Sequence, residues 1–214
     1  MAADNDVKIL REGSARKRAA ILDAARTRFV TDGYDGTSVD VISAEAGVSK
    51  RTVYDYFGDK QMLLAAVVEA SATRLMVTIS DALEEYLSDL RHPAELETAL
   101  TGFANRILST TLNSSDYATL IRLVTTESAH LPSDSASYWV SSEPEDRIAE
   151  HFARFHELGL MDAPRPRLAA DHFVALSMAI ALEKQREPSS HSDVEVRQSI
   201  VDGVRAFLRA YAPH

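Results

Sequence analysis

The stretch TSVDVISAEAGVSKRTVYDYFGDK, residues 37–60, predicts two short helices joined by a tight turn. Thr37 and Asp40 stand three residues apart, so their side chains are placed to cap the N–H groups that open the first helix. Gly47 follows that helix, and glycine most easily adopts the left-handed conformation that ends one. Ser49 is placed to cap the second helix. The stretch therefore predicts a helix-turn-helix.

The second of these helices has two unlike faces. Val53 and Phe57 fall on one side, and at about 100° per residue Lys50, Arg51 and Tyr54 point the other way. The first side is apolar, whereas the second offers basic, hydroxyl and aromatic groups. A short helix that is anchored in this way suits the major groove of DNA.

Residues 16–65 resemble the N-terminal DNA-binding domain of the TetR/AcrR family of bacterial transcriptional repressors. The resemblance rests on an Ala-rich first helix, AAILDAARTRFVTDGYDGTS, followed at the family's distance by AGVSKRTVYDYFGDK. Two residues depart from the family pattern. Ser43 stands where a small Ala is usual, and Asp55 places an acid on the face that meets DNA. Asp55 could accept a hydrogen bond from a cytosine amino group or repel phosphate, and both alternatives stay open.

The resemblance implies that the second helix reads an operator and that its neighbours hold the DNA backbone. Arg51 is best suited to pair with a guanine, and tyrosine and lysine side chains commonly contact phosphates. Thr37 could instead serve only as a cap, Tyr56 could be a partly buried ring, and Lys60 could be a solvated charge. The residues assigned to DNA binding are Thr37, Ser49, Lys50, Arg51, Thr52, Tyr54, Tyr56 and Lys60.

Length and composition favour a folded helical protein. The chain has 214 residues, 45% of them hydrophobic, which allows a small and a larger domain. The absence of cysteine excludes disulfides, thiol redox sensing and Cys-ligated zinc. The start MAADNDVK lacks the apolar core of a secretory signal, and the apolar run Phe173–Leu182 is too short to cross a bilayer. We therefore expect a cytoplasmic, nucleoid-associated protein without a membrane partner.

The net charge of −9 is unevenly distributed. Residues 1–60 hold ten basic and ten acidic residues and are neutral, so the remainder carries the whole excess of acid. An acidic second domain would keep that end of the protein away from DNA. Arg11, Arg16, Lys17 and Arg18 form a basic cluster that could reach phosphates or a minor groove. The alternative is a solvated, disordered tail, which we favour for Met1–Arg11.

The whole chain is predicted to be all-α, because no stretch alternates apolar and polar residues long enough for a strand. We expect a three-helix, homeodomain-like helix-turn-helix domain over residues 1–58. A long helix capped by Asp59 would join it rigidly to a larger ligand-binding and dimerisation domain over residues 59–214. The other predicted helices are Ala15–Thr31, Asp59–Leu87, Pro93–Asn113, Ser114–Leu131, Ser142–Leu158, Leu168–Arg186 and Ser192–Leu208.

Three local details are predicted within these helices. The first helix should turn Ala19, Leu22, Ala25 and Phe29 inward and stop at Asp32-Gly33. Capping boxes like that at Thr37 are expected at Ser142 with Glu145, the second box, and at Ser192 with Glu195.

The resemblance also implies a small-molecule effector, because family members typically bind one in the second domain. Binding would tilt the long helix and release the DNA, which requires different affinities for the two arrangements. An apolar and aromatic lining with a few polar groups would suit a lipophilic or aromatic molecule. Helical core packing would explain most of these residues as well. The candidate lining is Phe103, Arg106, Ile107, Leu123, Glu127, Tyr138, Trp139, Phe152 and Phe155.

A homodimer on a near-palindromic double-stranded operator is expected, because one such reading unit contacts too little DNA for tight binding. By resemblance, the dimer contact involves the helices at Glu145–Leu158 and Leu168–Arg186. Small residues in the second helix would let two helices approach closely, although packing within one subunit explains them too. These residues are Ala175, Ser177, Ala179 and Ala181.

Other function classes find less support in the sequence. It contains no G-x-S-x-G, no phosphate-binding glycine loop and no H-E-x-x-H, so no enzyme is predicted. A DNA-binding architectural protein or an activator without an effector stays the first alternative, and an enzyme with an unrecognised site in the C-terminal domain is the second. The histidines lack the spacing of a tight metal site, so neither a metal nor a cofactor is predicted. The residues considered for a metal are His130, His151, His156, His172, Asp134 and Asp171.

Overall fold

The computed structural model describes residues 2–112, 114–132, 143–186 and 191–213, and within them all side chains except those of residues 2–12, 111, 112 and 186. These ranges are helical and contain no strand, which confirms the all-α prediction. The α-helices are α1 Ala2–Gly36, α2 Val39–Glu45, α3 Lys50–Phe57, α4 Lys60–Leu87, α5 Leu96–Arg106, α6 Ser115–Thr126, α7 Glu143–Glu157, α8 Pro166–Phe173, α9 Ile180–Arg186 and α10 Asp193–Ala210.

The chain forms two compact units. The first consists of the described parts of Met1–Thr73 and Ala118–Val140, and the second of the described parts of Arg74–Tyr117 and Ser141–His214. Most of α6 is thus grouped with the helix-turn-helix. The functional division between residues 58 and 59 stays a prediction.

The core of the first unit is built by α1, α2 and α3. Ile21, Ala25 and Phe29 of α1 are at most 1% exposed, and they share this core with Ile42 and Val53. The prediction that Ala19 and Leu22 face inward is wrong for Ala19, which is exposed, while Leu22 is half-buried. Ile21 supplies the inward position instead, so the buried stripe starts one residue away from the predicted one.

Helix α1 is longer than predicted. Its backbone is helical from Ala2, whereas Ala15 was the expected start and Met1–Arg11 the expected disordered tail. Good helix formers such as Ala, Lys, Leu and Arg are frequent there. Gly33 interrupts the helix with a φ of 73°, close to the predicted stop at Asp32-Gly33.

The caps around the turn follow the sequence pattern with one exception. Ser38, not Thr37, caps α2, since its hydroxyl accepts from the Val41 N–H at 3.2 Å. The Thr37 hydroxyl instead donates to the Gly33 carbonyl at 2.7 Å. Gly47 has a φ of 64°, the left-handed conformation predicted for it. Asp59 accepts from the Met62 N–H at 2.7 Å and caps α4 as predicted.

An ionic cluster joins α1 to α2. Arg28 Nε donates to Glu45 Oε1 at 2.8 Å, and Arg28 Nη1 lies 3.2 Å from Asp32 Oδ2. Hydrogen bonds to these two carboxylates raise the pKa of Arg28, and the same guanidinium lowers the pKa of Glu45. Through Arg28 and Glu45, the cluster connects α1 to the last residue of α2.

Helix α4 is apolar enough, by length and composition, to span a membrane. Its most apolar window has a mean hydropathy of 1.6, but half of that window is buried in the structure. Leu63, Leu64, Val67 and Val68 are at most 2% exposed. Such burial is typical of a core helix, and α4 is one.

An aromatic cluster forms the core of the second unit. Phe152 packs on Phe207 with ring centroids 5.4 Å apart and meets Phe173 edge-on at 5.8 Å. Phe103 lies 6.1 Å from Phe173, and Phe155 lies 6.2 Å from Phe152. All five rings are at most 1% exposed, so the cluster joins α5, α7, α8 and α10 through rings that favour offset and edge contacts.

Two predicted helices are interrupted by wider, π-helical segments. Ile107–Leu112 continues from α5, and Val174–Ala179 separates α8 from α9. The capping box Ser192–Glu195 is present at α10. The second predicted box begins at Ser142, which lies outside the described residues.

Candidate DNA-binding site

Helix α3 is anchored by one face and exposed on the other. Val53 is 2% and Phe57 9% exposed, and both belong to the buried core. The Arg51 side chain is 91% exposed, and Tyr54 is exposed as well. The predicted division of faces is therefore confirmed. The outer side chains of a helix held in this way are not part of the buried core, so they are available for contacts with another molecule.

The start of α3 is fixed by two hydroxyl groups. Ser49 Oγ accepts from the Thr52 N–H at 3.1 Å, which confirms the predicted cap. Ser49 Oγ also lies 2.8 Å from Thr52 Oγ1, so the two side chains bond each other. Their contact with DNA stays a prediction, and it would use the remaining lone pairs and protons of these hydroxyls.

Two acids face the basic side chains of α3. Lys50 Nζ donates to Asp40 Oδ2 at 2.9 Å, and this hydrogen bond raises the pKa of Lys50. Arg51 Nε lies 3.9 Å from Asp55 Oδ2, one turn along the helix. Sequence reasoning did not pair Lys50 with Asp40. Both cations stay accessible beside these carboxylates, since the Lys50 side chain is 49% and the Arg51 side chain 91% exposed.

Two tyrosines at the end of α3 differ in their surroundings. Tyr54 is 42% exposed, as a phosphate-contacting side chain would be. The Tyr56 hydroxyl lies 2.7 Å from Ser14 Oγ, and it also donates to the Ser14 carbonyl at 3.3 Å. Tyr56 thus ties α3 to α1, and Ser14 is a partner that the sequence did not indicate. The basic cluster continues at Arg16, Lys17 and Arg18, which are exposed.

Lys60 lies over an aromatic ring at the start of α4. Its Nζ is 4.1 Å from the ring centroid of Tyr34, a cation–π distance. Tyr34 is stacked on its other side with His130 at 4.2 Å. Burial raises the pKa of the Tyr34 hydroxyl, with the Asp59 and Asp35 charges adding to it. The lysine is therefore positioned by a ring rather than free in solvent.

Thr37 is placed differently from the other predicted residues. It is 4% exposed, and its N–H and hydroxyl both donate to carbonyls at the end of α1, those of Tyr34 and Gly33. These bonds hold the kink in front of α2. The adjacent Ser38, which sequence reasoning did not select, is exposed at the helix start.

Comparison with known proteins agrees with this geometry. Residues 21–67 match the tetR family of bacterial regulatory proteins. Residues 98–213, more than half of the chain, match the C-terminal domain of AefR-like transcriptional repressors. The chain belongs to the TetR family. Its members are transcriptional regulators rather than enzymes, and the helix-turn-helix is the DNA-binding part of this TetR-family protein.

Curated relatives in the TetR family match chiefly this DNA-binding part. The transcriptional repressor AcnR of Corynebacterium efficiens is 34% identical over 64 residues, 30% of this chain and 34% of that protein. The transcriptional activator FasR of Mycolicibacterium smegmatis is 36% identical over 67 residues, 31% of each chain. The matched region spans about a third of the length of these relatives.

A solved TetR-type structure covers nearly the whole chain. The flavonoid-responsive regulator FrrA superposes with a TM-score of 0.75 at 26% identity, over 94% of this chain and 99% of that one. The second unit therefore has the helical architecture of this family as well as the first.

The predicted effector residues are dispersed. Phe103, Phe152 and Phe155 belong to the buried aromatic cluster, and Ile107 is 5% exposed. Leu123 and Glu127 belong to the first unit, where Glu127 Oε2 lies 3.4 Å from His130 Nδ1. Tyr138 and Trp139 lie outside the described residues. The set as a lining of one pocket stays a prediction.

A cavity of about 630 Å³ is present in the second unit. Of the predicted effector residues that the structure describes, Arg106 lines it. Sequence reasoning missed the other lining residues, which lie far apart in the chain and come together only through packing of helices. They are Tyr86, Gly102, Asn105, Leu108, Ser109, Gln185, Asp193, Val196 and Arg197.

The histidines considered for a metal have other neighbours. His172 Nδ1 lies 2.7 Å from the Tyr211 hydroxyl, and the Ala163 N–H donates to His156 Nδ1 at 3.3 Å. Burial lowers the pKa of His151. Among the described residues, no group of three or more histidines and acids could hold a metal ion.

Proposed function

We propose that this TetR-family protein is a homodimeric repressor that leaves a near-palindromic operator when a small lipophilic or aromatic molecule binds. The observation that carries the proposal is the outer face of α3, where Lys50, Arg51 and Tyr54 are exposed while Val53 and Phe57 hold the helix. A bidentate arginine contact to guanine is the commonest specific contact in the major groove.

Repression and effector response are supported by named relatives. AcnR is a repressor, and FrrA is described as flavonoid-responsive. Flavonoids are aromatic, which agrees with the effector class expected from the sequence. The site of action would be the chromosome, hence a cytoplasmic and nucleoid-associated location.

The dimer has a candidate surface along the segment from α8 to α9. Ala175, Leu176, Ala179 and Ile180 are exposed there, Leu176 by 37% and Ile180 by 50%. Ser177 and Ala181, two of the four predicted small residues, are fully buried within the subunit. The four exposed residues would contact a second copy, whereas Ser177 and Ala181 pack within the core of their own subunit.

The alternative function is activation, which FasR exemplifies at 36% identity over the DNA-binding part. DNA-binding geometry is the same for both functions, so the operator's position relative to a promoter decides between them.

The test begins with duplexes selected from a random pool by the purified protein. The selected site is then placed over a promoter in a reporter strain. Repression that the wild-type protein exerts, and that an Arg51→Ala variant loses, supports the proposal. Raised expression would favour an activator, and a pool that yields no enriched site would contradict sequence-specific binding.

A further inference from the structure

Two exposed arginines line the cavity in the second unit. Arg106, the last residue of α5, and Arg197, in the second turn of α10, both line it. Neither guanidinium forms an ion pair with any residue that the structure describes, although Arg197 Nε donates to the Asp193 carbonyl at 3.4 Å. Asp193 also lines the cavity, so its charged groups are two positive and one negative.

An ion pair joins the same two helices away from the cavity. Arg205 of α10 donates to Glu97 of α5 at 2.8 Å, and this carboxylate raises the pKa of Arg205. That ion pair joins the start of α5 to the end of α10, whereas the cavity lies at the end of α5 and the start of α10. The two helices are therefore antiparallel, and Arg106 and Arg197 line the cavity at the opposite ends of their helices from Glu97 and Arg205.

The rest of the lining provides an apolar wall and one unused acceptor. Leu108 and Val196 are 5% and 7% exposed, and the Tyr86 ring lies so close to Gly102 that a Cβ there would come within 2.4 Å of it. Gln185 Oε1 is buried and has no hydrogen-bond partner among the described residues. A buried acceptor without a partner is costly, and a ligand hydroxyl would satisfy it.

The backbone at this wall is itself irregular. Leu108 and Ser109 belong to the π-helical segment Ile107–Leu112, which follows directly after Arg106. Such segments are rare and occur frequently at functional sites. Of the two π-helical segments, Ile107–Leu112 is the one that contributes residues to the cavity lining.

We propose that this cavity binds a small organic acid, with its carboxylate between Arg106 and Arg197 and its hydroxylated apolar body against Tyr86, Leu108 and Val196. Planar guanidinium groups pair with carboxylates through two parallel hydrogen bonds, and the volume lies in the range of small-molecule sites. The role of the acid as the effector rests on the proposed function, whereas its binding does not.

The test is calorimetric titration of the whole protein with three acids, each against its methyl ester: para-hydroxybenzoate, para-hydroxycinnamate and β-hydroxydecanoate. We expect at least one acid to bind and its ester to bind at least about tenfold more weakly, because the ester lacks the charge. Arg106→Ala and Arg197→Ala should each weaken the acid by about tenfold or more. Arg209→Ala, in the last turn of α10 and outside the cavity, is the matched control.

A third variant keeps the test decisive if the alanine variants fold poorly. Arg106 is exposed, so Arg106→Glu should fold as the wild type does, and it should no longer bind the acid because its carboxylate would repel that of the ligand. Absence of binding by all three acids, equal affinity for acid and ester, or full binding by Arg106→Glu would each overturn the proposal.

Operator release is measured separately, by anisotropy of a labelled duplex from the selected pool. An acid that binds through the arginines without releasing DNA would leave the site standing and contradict the effector role. An acid that releases DNA but binds equally to all three arginine variants would support the proposed function and refute this site.

Discussion

The Arg51 side chain is exposed and lies next to an acid on the same helix. This side chain is 91% exposed on the outer face of α3, with Asp55 Oδ2 3.9 Å from its Nε. Lys50 is held by Asp40 in the same way. Each of these basic side chains therefore has a carboxylate beside it on the same exposed face.

Replacing Arg51 by Ala should cost about 1–3 kcal/mol in binding to the selected operator and relax the preference at one base position. The reason is the loss of a bidentate contact to a single guanine. Anisotropy titrations on the operator and on duplexes with single base changes measure it. Tyr54→Phe is the comparison, since a phosphate contact should weaken all sequences alike. An equal loss on every sequence for Arg51→Ala would contradict base readout by this residue.

At the scale of the elements, the close contact between two helical segments limits which residue can stand at position 203. Gly203 of α10 faces the π-helical segment Val174–Ala179, and a Cβ on it would lie 2.0 Å from the Leu176 carbonyl oxygen. Backbone there leaves no room for a methyl group. The close approach of two helices at Gly203 therefore depends on the absence of a side chain.

Gly203→Ala should lower the free energy of unfolding by about 1–3 kcal/mol, because backbone must move to admit the methyl group. Gly13→Ala is the matched control: this glycine is exposed in α1 with nothing within 4 Å of its would-be Cβ. It should gain about 0.5–1 kcal/mol from helix propensity. Urea denaturation followed by circular dichroism measures both, and equal effects would contradict the packing at Gly203.

The capping box of α10 should make stability depend on pH. The N–H and hydroxyl of Ser192 donate to the Glu195 carboxylate and lower its pKa. A lowered folded-state pKa stabilises the protein above the unfolded value, about 4.3, and the stabilisation is lost as pH falls through the folded-state pKa.

Glu195→Gln should therefore destabilise the protein at neutral pH, and its deficit should shrink on acidification below about pH 4.3. Thermal melts of both proteins across that range measure the difference. Glu157→Gln, which changes an exposed acid at the end of α7, serves as control. A deficit for Glu195→Gln that stays constant with pH would argue against the ionised cap.

The sequence predicts local features well and tertiary ones poorly. The turn at Gly47, the caps at Ser49, Asp59 and Ser192, and the apolar side of α3 all depend on residues within a few positions of each other. The cap of α2 was predicted at Thr37 instead of Ser38 because these two adjacent residues both carry a hydroxyl. In the structure the Thr37 hydroxyl donates to the Gly33 carbonyl, and the Ser38 hydroxyl caps the helix. The cavity and the π-helical segments depend on packing between distant helices, for which the chain carries no local signal.

At the scale of the whole molecule, the proposed homodimer would bring two reading helices to one operator. Two reading helices about 34–36 Å apart would reach successive major grooves on one side of a duplex. In the proposed dimer, the exposed apolar residues Leu176 and Ile180 would form the contact that couples them. The acidic remainder of the chain would then lie away from the phosphates.

Leu176→Asp and Ile180→Asp should convert the protein to monomers and weaken operator binding, because a charge in an apolar dimer contact is not compensated. Sedimentation equilibrium and anisotropy measure the two effects. Val194→Asp is the control, since Val194 is a 73% exposed apolar residue on another helix. Dimers that persist in both variants would place the interface elsewhere.

Guanine methylation interference on the selected operator tests the central claim most directly, because the modified N7 atom lies in the major groove. We predict two groups of interfering guanines, centred about one helical turn apart on the same side of the duplex. In the Arg51→Ala variant, one guanine in each group should no longer matter. Binding that is indifferent to major-groove methylation would contradict the insertion of α3.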